Sequence, residues 1–167
     1  MNITTRPLTA VFLVMTLGVM AQIAGFAQRA STNPLVGVWR VSEITYTGPN
    51  ARKVSSPQPG IFIVTGRYYS MQAVISDTPR REIPSQSATL PQYGMAFKHF
   101  AADSGTYDMT DNELTFRPVV AKTPAVLDYS VVDTFKLEGT DTLWLTQKSD
   151  QKGLVANPVT IKLLRVE

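Results

Sequence analysis

His99 is the single histidine of the chain, and cysteine is absent. A zinc site built from several histidines and any thiolate chemistry are therefore excluded, and no metal is implied. Asp108-Met109-Thr110-Asp111-Asn112 gathers acids in a loop, but the run reads as a hairpin turn rather than a calcium loop. No serine sits in a Gly-x-Ser-x-Gly elbow, and there is no glycine-rich phosphate loop, so nucleophilic catalysis has no support. What remains is general acid-base chemistry, with His99, Tyr107 and Glu43 as the candidate catalytic groups. His99 could exchange protons with a ligand held beneath its segment; the plainer reading is a solvated histidine on a short amphipathic helix. Arg80 and Arg81 could meet an anion at a cavity mouth, or belong to a solvated loop. None of these residues implies a cofactor.

The elements that must position such groups are strands. Short runs rich in Val, Ile, Thr, Tyr and Phe recur between turn residues, and helical periodicity is scarce. Eight strands are expected: 36–47, 61–65, 68–76, 105–110, 113–120, 130–137, 142–147 and 159–166. Gly66 offers a residue tolerant of positive φ for the second-to-third hairpin, and Asp111-Asn112 suits a two-residue turn. Eight antiparallel strands in an open meander would expose two edges; closing them into an up-and-down barrel removes both. Residues 77–91 carry Pro79, Pro84 and Pro91 and read as a loop, and YGMAFKHFAA, from Tyr93 to Ala102, reads as one short helix. Together they lie between strands three and four, where they could cover one end of the barrel.

Residues 1–27 differ from the rest. Arg6 is their only charge, and LTAVFLVMTLGVMAQIAGFA is followed by polar sequence. A basic start, an apolar middle and the small-x-small ending Gly25-Phe26-Ala27 have the pattern of a secretory signal peptide, with cleavage expected after Ala27. An uncleaved membrane anchor is the alternative, and it is the only membrane contact the sequence suggests. Residues 28–167 then form one barrel domain, exported to a periplasmic or extracellular space. Lacking cysteine, that domain must take its stability from its core. Removing Arg6 with the leader leaves 15 basic against 13 acidic residues; these are scattered, so no nucleic-acid partner is expected.

Strand alternation selects the residues that face the interior. With Trp39 inward, Val41, Glu43 and Thr45 share its face, and an inward Glu43 needs either a partner or a bulge that lets it reach water. Tyr69, Met71, Ala73 and Ile75 form a second inward row; Gly105, Tyr107 and Met109 a third; Leu114, Phe116 and Pro118 a fourth; Val131, Asp133, Phe135 and Leu137 a fifth. The mixture suits a small-molecule pocket and equally a filled core. The ligand-binding candidates are Glu43, Tyr69, Met71, Tyr107, Phe116, Asp133, Phe135 and His99.

NPLVGVWRVSEITYTG, PQPGIFIVTGRYYSMQAV, FAADSGTYDMTDNELTFRPVVA, TLWLTQ and TIKLLRVE, in that order, resemble the bacterial lipocalin-like domain family of the calycin superfamily, from Asn33 to Glu167. The resemblance implies an eight-stranded barrel. It also implies that Gly37 and Trp39 open the first strand, with Trp39 at the closed end of the barrel under Arg165, a structural pair in which a guanidinium stacks on an indole. The function it implies is binding of a small hydrophobic or amphipathic molecule in the barrel cavity. Two alternatives stay open: a cofactor-independent cyclase, lyase or isomerase using the same cavity, and a filled-barrel structural or interaction module.

Overall fold

Ile61-Phe62-Ile63-Val64 shows how the chain folds: Phe62 and Val64 are buried while Ile61 and Ile63 are exposed, the period of two that a half-buried strand requires. The computed structural model describes residues 33–76, 78–80, 82–84 and 86–167, so the expected leader at 1–27 lies outside the described residues. Asn33–Glu167 form one unit. In chain order it contains β1 (Gly37–Tyr46), β2 (Arg52–Val54), β3 (Gly60–Val64), β4 (Tyr68–Val74), α1 (Leu90–Lys98), β5 (Phe100–Met109), β6 (Glu113–Ala121), β7 (Val131–Glu138), β8 (Thr142–Asp150), β9 (Gly153–Leu154) and β10 (Val159–Arg165). Short 3-10 turns occupy Gly48–Asn50 and Pro124–Asp128.

All pairings are antiparallel. They run β1-β3-β4-β5-β6-β7-β8, and β10 closes the ring by pairing with both β8 and β1. Eight strands thus make a closed antiparallel barrel without a free edge, while β2 and β9 extend only β1 and β8. The short strand β2 was not expected from the sequence. With it in the chain, the helix lies between β4 and β5 rather than between strands three and four.

The helix also starts earlier than expected. Thr89 N–H donates to Gln92 Oε1 at 2.7 Å, and Pro91 sits in the first turn, where a missing N–H costs nothing. It ends at Lys98 because Phe100, Ala101 and Ala102 pair with Val74, Ala73 and Gln72. Sheet pairing there overrides a helical pattern, and β5 begins five residues before Gly105. The β3–β4 turn likewise needs no positive φ at Gly66. Thr65 supplies the turn, its Oγ1 accepting from Tyr68 N–H at 3.0 Å.

The register shifts at three places, between Val41 and Glu43, Ser104 and Gly105, and Val132 and Asp133. Between Val41 and Glu43 the β1–β10 register shifts by one, so Val41 opposes Leu163 while Glu43 opposes Lys162. Leu163 is fully buried, and Lys162 stacks over Trp144, so the shift carries Glu43 off the core face. A second shift between Ser104 and Gly105 lets β5 and β6 come close: a Cβ on Gly105 would stand 2.0 Å from Arg117 O. Only glycine fits there.

Candidate functional site

The two ends of the barrel differ in their connections. β3–β4, β5–β6 and β7–β8 turn tightly at one end, with Gly139 in the last turn at φ 62. All the long connections, including α1, the Pro124–Asp128 turn and β9, lie at the other. The tight-turn end is plugged. Trp39 is fully buried and donates from Nε1 to Leu35 O at 2.9 Å. Arg165 covers its ring at 4.0 Å and donates to Val36 O and Pro34 O at 2.8 and 2.7 Å, and from Nε to Thr140 O at 2.6 Å. Tyr107 Oη donates to Thr65 O at 2.7 Å and accepts from Asn33 Nδ2, so that hydroxyl is spent at the closed end.

Above this plug stand Phe62, Tyr69 and Phe116, with Tyr69 and Phe116 ring centroids 4.7 Å apart and Phe62 edge-on to Phe116. The barrel is filled up to that layer. Beyond it, toward the long connections, lies a cavity of about 110 Å³ lined by Tyr69, Met71, Asp103, Phe116, Pro118, Val126, Val131 and Asp133. Register puts these groups together: Met71 opposes Asp103, Gly105 opposes both Tyr69 and Pro118, and Phe116 opposes Val131.

The polar groups of this cavity are short of partners. Tyr69 is 5% exposed, and its buried Oη has only the Asp103 carboxylate to turn to, while Asp133 Oδ1 has no hydrogen-bond partner within the chain. Burial, and then the Asp103 carboxylate, pushes the Asp133 carboxyl up to about 6. Burial also raises the carboxyl of Asp103. The Tyr69 phenol is held far above the usual tyrosine range, first by burial and then by Asp103, through its charge and a side-chain hydrogen bond. The lining contains no lysine, arginine or histidine. No group of three or more metal-ligating side chains occurs among the described residues.

The residues singled out from the sequence fall in five places. Tyr69, Met71, Phe116 and Asp133 line the cavity. Phe135 opposes Leu145 and packs against the buried core. Tyr107 belongs to the closed end. Glu43 is turned outward by the bulge and pairs with Lys53 at 2.9 Å, the bulge and the partner that its carboxylate was expected to need, so it does not line the cavity as a ligand-binding or catalytic candidate should. His99 lies in a separate groove of about 150 Å³ formed with Ser76, Thr78, Arg80, Ile83, Gln92 and Met95. None of these groove residues holds a buried polar atom without a partner. The three candidate catalytic groups His99, Tyr107 and Glu43 are thus not brought together.

Asp103 was missed. With the helix read through Ala102 and the strand begun at Gly105, it fell in a gap between elements. The signal was nevertheless present, since Asp103, Gly105 and Tyr107 continue one alternating row.

No protein-family model matches the chain, and no curated protein matches it in sequence. Among solved structures it is similar to a lipocalin-like protein from Bacteroides uniformis, at 11% identity over 79% of this chain and 98% of that one, with a TM-score of 0.43. It is also similar to a redesigned β-barrel, b11L5F_LGL, at 13% identity over 81% and 95% of the two chains, with a TM-score of 0.42. In its own strand order and closure, the chain has a lipocalin-like barrel fold.

Proposed function

We propose that the barrel binds a small amphipathic molecule, entered from the end that carries the long connections, with its polar end in the cavity above Phe116. The observation that supports this reading is the convergence of Tyr69, Asp103 and Asp133 on one cavity whose remaining lining is apolar, with Asp133 Oδ1 buried and without a partner in the chain. A buried polar group without a partner costs about 1–3 kcal/mol, and a ligand that supplies the missing bonds recovers that cost on binding. The reading includes export, supported by the signal-peptide pattern of residues 1–27. Native mass spectrometry of freshly purified protein tests it: a retained small mass is expected, and bare apo spectra from several independent preparations would count against it.

A cofactor-independent isomerase or lyase is the second reading, favoured by one observation. Asp133, with its carboxyl near 6, sits beside a neutral Tyr69 in a largely apolar cavity, and a carboxyl poised near neutrality can carry a proton. In this reading the acid-base groups are Asp103, Asp133 and Tyr69 in place of His99, Tyr107 and Glu43. Retention of turnover in an Asp133→Asn variant would remove it.

A further inference from the structure

Three polar side chains converge on the cavity from three strands: Tyr69 from β4, Asp103 from β5 and Asp133 from β7. Two are acids, and no basic side chain of the lining answers them. The rest of the wall is apolar, with Met71, Phe116, Pro118, Val126 and Val131. Such a site repels carboxylates and phosphates. It also lacks the third metal-ligating side chain of a dedicated cation site, since no group of three such residues occurs among the described residues.

The geometry points to a primary alkylammonium group as the polar end of the ligand, its N–H donors directed at the carboxylates of Asp103 and Asp133, with the Tyr69 hydroxyl beside them. An ammonium carries three donors and no acceptor, the complement of a cavity lined by two carboxylates, one of which has an oxygen without any donor. It neutralises buried negative charge that the chain itself leaves uncompensated, and bonds between an ionised donor and an ionised acceptor are roughly twice as strong as neutral ones. The size of the space fits the head and not the whole molecule. A cavity of about 150 Å³ is of the size that takes a benzene ring, so about 110 Å³ takes the ammonium and its first carbons. The remaining alkyl or aryl part must then run past Val126 toward the open end.

This inference rests on the cavity reading above, and one titration separates the two. n-Hexylammonium, n-hexanol and hexanoate are titrated into the full chain at pH 7.5 by calorimetry. Hexylammonium is expected to bind at least about tenfold tighter than hexanol, with hexanoate weakest. In an Asp103→Asn/Asp133→Asn double variant its affinity is expected to fall to that of hexanol. If hexanol equals hexylammonium in the unmodified chain, or if the double variant keeps the preference, the ammonium assignment falls while the cavity reading stands. If none of the three binds, both fall. Should the double variant fail to fold, nuclear Overhauser contacts decide in the unmodified chain: contacts from the hexylammonium α-methylene to the Met71 methyl support the assignment, and their absence overturns it.

Discussion

Arg165 lies over Trp39 with its guanidinium carbon 4.0 Å from the indole ring centroid, and the two residues face each other directly across the β1–β10 seam that closes the barrel. The same guanidinium group donates to the carbonyls of Pro34, Val36 and Thr140, which belong to two separate segments at the closed end. One side chain thereby ties the chain entering β1 and the β7–β8 turn to the last strand.

Arg165→Ala is accordingly expected to lower stability by about 2–3 kcal/mol, from the lost stacking and the charged hydrogen bonds together. Arg165→Lys should recover little of this, because an ammonium cannot reproduce the planar fork that reaches all three carbonyls. Urea denaturation of the three proteins checks both statements. A lysine variant as stable as the parent would show that charge alone suffices.

Gly37 sits directly beside this pair with φ 146, and a Cβ on it would stand 2.3 Å from Glu167 O and 2.5 Å from Arg165 Nη1. Gly37→Ala therefore meets both a backbone conformation that L residues avoid and a clash with main-chain oxygen. An expected loss of about 1–3 kcal/mol follows from the strain. The measurement is again a denaturation midpoint, and an unchanged midpoint would mean that the C-terminal residues move aside freely.

The buried acids make stability depend on pH in an unusual direction. Asp133 keeps its proton up to about pH 6 in the folded chain and releases it near 3.8 when unfolded. Between those values the folded state binds more protons, so stability falls as pH rises, and above about 6 the whole penalty is present. The penalty is on the order of 2–3 kcal/mol for this one group. Burial raises Asp103 as well, which adds in the same direction. Asp133→Asn is expected to be more stable than the parent at pH 7.5 and to flatten the slope between pH 4 and 6. Equal stabilities at pH 7.5 would refute the buried charge.

The fold was largely legible because it rests on a period of two. Phe62, Val64, Tyr69, Leu114 and Phe116 announce their face by alternation, and closure of the sheet follows from the cost of exposed edges. What alternation cannot carry is a shift of register. The bulge at Ser42 sends Glu43 outward, and its one mark in VSEIT is the carboxylate that strict alternation would bury, which does not fix where the shift falls. Element boundaries failed where a local pattern lost to a long-range one: Phe100–Ala102 read as helix until pairing with β4 claimed them, and Asp103 was hidden with them. Tyr69, Met71, Phe116 and Asp133 were legible as inward residues. That the packing leaves a cavity of about 110 Å³ beside Phe116 depends on rotamers and on where Val126 of the Pro124–Asp128 turn comes to rest, neither of which is written in spacing.

Tyr107 and His99 test which end of the molecule the proposed ligand would use. Tyr107 is 8% exposed, and its hydroxyl is engaged by Thr65 and Asn33 at the closed end, while His99 lines the groove beside α1. Tyr107→Phe is therefore expected to cost about 1 kcal/mol of stability from the lost hydrogen bonds and to leave hexylammonium affinity unchanged. His99→Ala should alter neither quantity. Titration and denaturation of the two variants separate the possibilities, since each readout is tied to a different end of the barrel. Weaker binding in Tyr107→Phe would extend the site through the Phe62, Tyr69 and Phe116 layer, which the packing of those rings opposes. Weaker binding in His99→Ala would place part of the ligand in the groove beside α1, and the cavity above Phe116 would then hold only its inner end.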